Sequence, residues 1–237
     1  MAQAKRYRIV YEDDQIIVID KSSGMLVIPT PKKETNTLTD LINRELDERG
    51  IDVNAYPCHR LDRETSGLVI YAKGKAVQQA MMEEFRKRAV KKTYIAFVNG
   101  LMKKKFDTIT SSIYNRNKGR PEDAVTKYTV LERRNAPCRR HGMVGHFGEM
   151  SRPTFTVIEA QPVTGRTNQI RIHMKSIGHP LVGETVYAFR KDYKLRFKRA
   201  ALHAKRIEFI HPSGGRKMVF ESPLAADMEN FLKNSSK

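Results

Sequence analysis

The chain has 237 residues, of which 40% are hydrophobic, enough to form a core and to exclude a wholly disordered protein. Lysine and arginine number 44 against 26 for aspartate and glutamate. The resulting charge of +18 favours a polyanionic partner, nucleic acid before an anionic membrane surface. The apolar runs are too short for a transmembrane helix. Two cysteines do not make a disulfide scaffold, and the first residues lack the apolar run of a secretory signal. A cytoplasmic protein is expected.

Hydrophobic patterns predict strands and helices that alternate irregularly. Strands are predicted at residues 7–11, 15–20, 67–73, 92–99, 126–131, 153–159, 201–210 and 217–221, and helices at 37–46, 74–88, 167–176 and 224–232. Thr37 or Thr39 is suited to cap the first helix. Residues 135–149 show no period and are expected to form a long basic loop. The irregular order predicts an α+β fold on a mixed sheet.

Cofactor and metal motifs are weak. No glycine-rich fingerprint or phosphate-binding loop follows a predicted strand, so we expect no nucleotide cofactor. Cys138, His141 and His146 have a spacing that fits no structural zinc pattern well, so we also expect no metal.

The densest polar cluster next to an apolar run extends over residues 59–68. Asp62 stands there between Arg60 and Arg63, two cations that favour its ionised form at neutral pH. An ionised carboxylate can act as a nucleophile or as a general base. The same residues also fit a surface loop of ion pairs leading into the strand, and the residues alone do not decide between the two interpretations.

Four segments, in order, resemble motifs of the RluA-type pseudouridine synthases. Residues 59–73 (HRLDRETSGLVIYAK) resemble the family signature. Further similar segments are residues 11–29, 91–94 (KKTY), and 161–187 (QPVTGRTNQIRIHMKSIGHPLVGETVY), with short matches at 202–204 and 211–214. The resemblance implies a single catalytic domain over residues 1–237, with a largely antiparallel mixed sheet and flanking helices and loops. It also implies that the S4-type RNA-binding module often found in the family is absent.

Such an enzyme breaks the N-glycosidic bond of a uridine in RNA, rotates the uracil and rejoins it through C5, without cofactor or metal. Asp62 matches the catalytic aspartate, which would attack C1′ or C6 or abstract a ribose proton. Tyr94 matches a tyrosine that packs against uracil and serves in proton removal at C5, and Arg171 matches the arginine that pairs with the aspartate. Arg60 matches the residue that fills the gap left by a flipped nucleotide. The matching motifs imply further substrate-binding residues at His59, Arg63, Thr65, Arg166 and Leu202.

Two residues depart from the family pattern. Asn168 stands where the late motif usually has histidine, and Glu184 where it usually has aspartate. We expect these changes to affect fine positioning and substrate choice, not the type of reaction.

The expected partner is ribosomal or transfer RNA, bound by a monomer without a membrane. Two other classes stay open: a non-catalytic RNA-binding protein, which would have no need of a carboxylate facing RNA, and a nucleoside hydrolase, which would release free uracil.

Overall fold

The computed structural model describes residues 6–136, 153–188 and 195–236. The chain divides into two compact units, Met1–Tyr94 with His203–Pro223 and Ile95–Leu202 with Leu224–Lys237. Most of the basic loop expected at residues 135–149 lies outside the described residues, as do Cys138, His141 and His146. The single catalytic domain over residues 1–237 stays a prediction.

The first unit is a mixed sheet with two helices. Its strands are β1 (Tyr7–Glu12), β2 (Ile16–Lys21), β3 (Ala55–Pro57), β4 (Ser66–Lys73), the start of β5 (Lys91–Asn99), β9 (Leu202–Ile210) except its first residue, and β10 (Lys217–Glu221), and its helices are α1 (Leu38–Glu48) and α2 (Lys75–Arg86). The order is β1-β2-β4-β9, with β10 on β9 and β3 on β4. β4 and β9 are parallel, whereas β1–β2, β2–β4, β3–β4 and β9–β10 are antiparallel.

The second unit is antiparallel in its described pairs. It contains the end of β5, strands β6 (Phe106–Asn115), β7 (Arg120–Asn135) and β8 (Thr154–Pro162), and helices α3 (Gln169–Ser176) and α4 (Ala226–Lys233). The order is β5-β8-β7-β6, and β6 pairs with β7 over its whole length. The predicted α+β class with a mixed, largely antiparallel sheet is confirmed.

The core of the first unit lies around its central strands. β2 and β4 are buried on both faces along almost their whole length. One face packs against Met81 of α2, through Ile16, Val18, Leu68, Ile70 and Ala72. α1 begins with a capping box in which Thr37 accepts a hydrogen bond from the Asp40 N–H, and the Asp40 side chain accepts one from the Thr37 N–H. The predicted cap at Thr37 is confirmed.

Asp13 joins two turns of the first unit. Its Oδ1 accepts hydrogen bonds from the backbone N–H groups of Gln15 and Ile16, both at 2.8 Å. Its Oδ2 accepts one from the Tyr11 hydroxyl at 2.7 Å and lies 2.9 Å from Nε2 of His211. Burial raises the pKa of Asp13, but these hydrogen bonds outweigh it and lower the pKa to about 2.

We expect Asp13→Asn to remove a pH-dependent part of the stability. A carboxyl group with a depressed pKa in the folded state contributes stability above its unfolded pKa, near 3.8, that is lost as the pH falls towards 2. Urea unfolding should show that wild type loses roughly 2 kcal/mol more than the variant between pH 5 and 2. Asp14→Asn at the exposed neighbouring position is the control, and equal pH dependence in wild type and Asp13→Asn would contradict the assignment.

Candidate active site

Asp62 lies in the loop between the antiparallel strands β3 and β4. The strand pairing continues past β3, because the Cys58 N–H donates to the Ile70 carbonyl at 2.9 Å. On the far side of the loop, the Thr65 N–H donates to the Asp62 carbonyl at 3.1 Å and closes a tight turn. The loop is therefore joined to β4 at its start and closed by a tight turn at its end.

Lys21 holds the same loop through hydrogen bonds to backbone carbonyl groups. Its side chain is fully buried, and Nζ donates to the carbonyl groups of Ser22 at 3.0 Å, Met25 at 2.9 Å and Arg63 at 3.4 Å. The Gly24 N–H also donates to the Arg63 carbonyl, at 2.7 Å. A buried ammonium group is tolerated only with such partners, and here it ties the segment after β2 to the residue next to Asp62. Sequence reasoning missed Lys21, although a lysine that directly follows the apolar strand IIVID was a usable signal.

Asp62 and Tyr94 lie close to each other in the first unit. Tyr94 is 9% exposed, and burial raises the pKa of its phenol, with a further increase from the negative charge of Asp62. The phenol is therefore neutral at neutral pH. Asp62 itself is only partly buried and lies beside this neutral aromatic ring.

His59 is partly buried in the first unit. Its Nε2 accepts a hydrogen bond from the Ile70 N–H at 3.1 Å, and its ring lies 5.0 Å from that of Phe85. Burial, together with the positive charge of Lys92, lowers the pKa of His59 to about 3. The imidazole is therefore neutral and supports the start of the Asp62 loop.

The other predicted residues of this loop differ in exposure. Arg60 is exposed, and none of the described residues accepts a hydrogen bond from its side chain. Arg63 is also exposed and forms an ion pair with Glu34 at 3.1 Å. Thr65 is 2% exposed and lies just before Ser66, whose hydroxyl is 3.0 Å from Nδ1 of His203. Of these three side chains, Arg60 is the one that the described structure leaves unrestrained.

In the second unit, Arg171 projects from α3 into a buried ion pair. Its Nε donates to Oε2 of Glu184 at 2.6 Å and its Nη2 to Oε1 at 2.7 Å, a bidentate arrangement. Glu184 also accepts hydrogen bonds from the backbone N–H groups of Val186 and Tyr187. Burial raises the pKa of Glu184, but Arg171 and these N–H groups outweigh it and hold the pKa below its usual range. Sequence reasoning noted Glu184 as a departure and missed its contact with Arg171.

Arg166 and Leu202 also belong to the second unit. Arg166 donates from Nε to the Asp123 carbonyl at 3.1 Å and forms an ion pair with Glu122 at 3.2 Å, so it contacts the β6–β7 hairpin. Leu202 is 4% exposed, and its side chain is part of the buried apolar surface. The substrate-binding roles predicted for both residues stay predictions.

Within residues 6–136, 153–188 and 195–236, no group of three or more His, Cys, Asp or Glu side chains is arranged to hold a metal ion. None of the helices described there is both long enough and apolar enough to span a membrane.

Comparison with known proteins identifies the class. Residues 15–176 match the RNA pseudouridylate synthase family. The chain is 36% identical over 241 residues to the uncharacterized RNA pseudouridine synthase YlyB of Bacillus subtilis, covering 100% of this chain and 75% of that protein. It is 33% identical over 238 residues to ribosomal large subunit pseudouridine synthase D of Nitrosomonas europaea, covering 98% of this chain and 66% of that protein.

Solved structures agree on the fold. Human RNA pseudouridylate synthase domain containing 4 has a TM-score of 0.74 at 20% identity, covering 95% of this chain and 92% of that chain. Human RNA pseudouridylate synthase domain containing 1 has a TM-score of 0.70 at 24% identity, covering 94% of this chain and 86% of that chain. The fold is that of the pseudouridine synthases. The chain belongs to the RNA pseudouridylate synthase family, with RluA-type relatives, and it is an RNA pseudouridine synthase, an isomerase.

Proposed function

We propose that this enzyme converts specific uridines of structured RNA to pseudouridine, with Asp62 as the catalytic aspartate acting on a flipped-out nucleotide. The observation that carries the proposal is a partly exposed carboxylate beside the buried, neutral phenol of Tyr94, on a loop that Lys21 and Gly24 hold by the Arg63 carbonyl. A partly exposed carboxylate on a loop held in this way is able to act as a nucleophile or a general base.

The reaction is an isomerisation, so its atoms balance without a co-reactant. The bond from N1 of uracil to C1′ of ribose breaks, the ring turns, and a bond from C5 to C1′ forms, while C5 loses a proton and N1 gains one. Attack of Asp62 on C1′, attack on C6 and abstraction of a ribose proton are the three routes by which the carboxylate would start this sequence.

Tyr94 is proposed to pack against uracil and to take part in the loss of the C5 proton. Its pKa is raised partly by the charge of Asp62. Arg171 is proposed as a further catalytic residue, and Arg60 as the side chain that fills the space of the flipped base.

RNA is the proposed partner, and ribosomal RNA is the first candidate because several relatives are named ribosomal large subunit pseudouridine synthase D. The end of α2, the following turn and the first residue of β5 carry exposed cations suited to phosphates, namely Arg86, Lys87, Arg88 and Lys91. The other proposed substrate-binding residues are His59, Arg63, Thr65, Arg166 and Leu202. Transfer RNA, a monomeric state, the absence of a cofactor and a cytoplasmic location stay predictions.

The test is the modification itself. Ribosomal and transfer RNA from the native host, made without pseudouridine, should gain carbodiimide-dependent reverse-transcription stops at a few uridines after incubation with the enzyme. Release of free uracil in place of these stops would favour a nucleoside hydrolase. The absence of stops on both RNAs, despite tight binding, would favour a protein that only binds RNA.

A further inference from the structure

Asn168 lies directly before α3 in an unusual backbone conformation. Its φ of 54° and ψ of 23° are left-handed, a region in which asparagine is one of the few tolerated residues with a side chain. Its side chain makes no capping hydrogen bond to the helix. It turns to two other side chains instead: Oδ1 accepts a hydrogen bond from Nη1 of Arg171 at 2.9 Å, and Nδ2 donates to the Tyr187 hydroxyl at 2.8 Å.

The chemistry of the partners fixes the orientation of this amide. A guanidinium group carries only donors, so the oxygen of Asn168 has to face Arg171. The amino group then faces the Tyr187 hydroxyl, which is able to accept. The Tyr187 ring also contacts the guanidinium, with its centroid 5.2 Å from Cζ of Arg171.

Asn168 and Glu184 therefore hold different parts of one guanidinium group. Glu184 binds the edge formed by Nε and Nη2, and Asn168 binds Nη1. A bidentate carboxylate alone still allows the guanidinium group to rotate about the edge formed by Nε and Nη2. The third contact, supported by the Tyr187 hydroxyl, restricts that motion.

We propose that Asn168 is a positioning residue, which fixes the orientation of the Arg171 guanidinium for its action in the reaction. The inference rests on the proposed function, because it requires Arg171 to take part in the reaction. It also gives the two departures from the family pattern one shared role, since Asn168 and Glu184 both bind Arg171.

The test uses Asn168→Gly, which deletes both hydrogen bonds and keeps the left-handed backbone unstrained. We expect kcat to fall about tenfold, equivalent to ~1.4 kcal/mol in the barrier, with KM within about twofold and a melting temperature within a few degrees of wild type. Asn36→Gly is the matched control. Asn36 has φ 59° and an exposed side chain, so the same substitution there should leave kcat unchanged. Tyr187→Phe keeps the ring and should lower kcat in the same direction by about threefold.

Two results would overturn the inference. A wild-type kcat in Asn168→Gly, measured alongside an inactive Asp62→Asn, would remove the positioning role and leave the proposed function intact. An equal fall of kcat in Asn168→Gly and Asn36→Gly would assign the effect to the backbone. Activity retained in Asp62→Asn, by contrast, would contradict the proposed function itself.

Discussion

Asp62→Asn is expected to abolish pseudouridine formation while RNA binds at least as tightly as to wild type. The amide keeps the shape of the side chain but is neither a nucleophile nor a base. Loss of a negative charge that faces a polyanion favours binding. In single-turnover experiments we expect the rate to fall at least about 10⁴-fold, roughly 5.5 kcal/mol in the barrier.

A second charge change separates this effect from general electrostatics. Asp52→Asn removes one carboxylate from an exposed position in the same unit and should retain wild-type turnover. Anisotropy with labelled RNA measures binding, and carbodiimide-dependent stops measure the product. If Asp62→Asn turned over within about tenfold of wild type, a barrier change of only ~1.4 kcal/mol, another group would be the catalytic residue.

Gly67→Ala is expected to cost about 4 kcal/mol or more of the free energy of unfolding. Gly67 has φ +108°, and a Cβ there would lie 2.3 Å from the Ala204 carbonyl oxygen on the parallel strand β9. The backbone atoms of β9 are unable to move aside as a flexible side chain would. Since Gly67 follows the Asp62 loop by few residues, the displacement should also lower activity in any protein that still folds.

Gly74→Ala separates the cost of backbone strain from the cost of the steric clash with β9. Gly74 has φ +91°, but nothing lies within 4 Å of the Cβ that would be added. It should therefore cost only the backbone strain, about 1–2 kcal/mol. Urea unfolding measures the free energy of unfolding of both variants. Equal losses of this free energy would show that the close approach of β4 and β9 is unimportant. If Gly67→Ala gives no soluble protein while Gly74→Ala folds, the expected order still holds.

Much of the fold was predictable because it depends on local patterns. The apolar runs of β2 and β4 mark buried strands, β10 falls on the predicted residues 217–221, and Thr37 caps α1 as predicted. α2 was predicted to reach Arg88 but ends at Arg86, because Arg88 has a left-handed φ of 59°. α3 similarly begins two residues later than predicted, after the left-handed Asn168.

β6 was not predicted at all, and the reason is physical. Among its ten residues, only Ile109 and Ile113 are buried, so its sequence lacks the apolar alternation of a strand that covers a core. It forms because it pairs with β7 along its length, which is also why β7 extends well beyond the predicted residues 126–131. Such pairing depends on a partner strand and leaves little trace in composition.

The sequence by itself determined the reaction class, since motifs around Asp62, Tyr94 and Arg171 are contiguous and specific. Tertiary structure alone decided what holds the Asp62 loop and the Arg171 side chain. Lys21 reaches the Arg63 carbonyl 42 positions away, and Glu184 reaches Arg171 13 positions away. A motif records which residue types the chemistry needs. The hydrogen bonds that hold those residues join positions that are distant in the sequence. Their partners are defined only in the folded chain, because a buried charged group without a hydrogen-bond partner is costly.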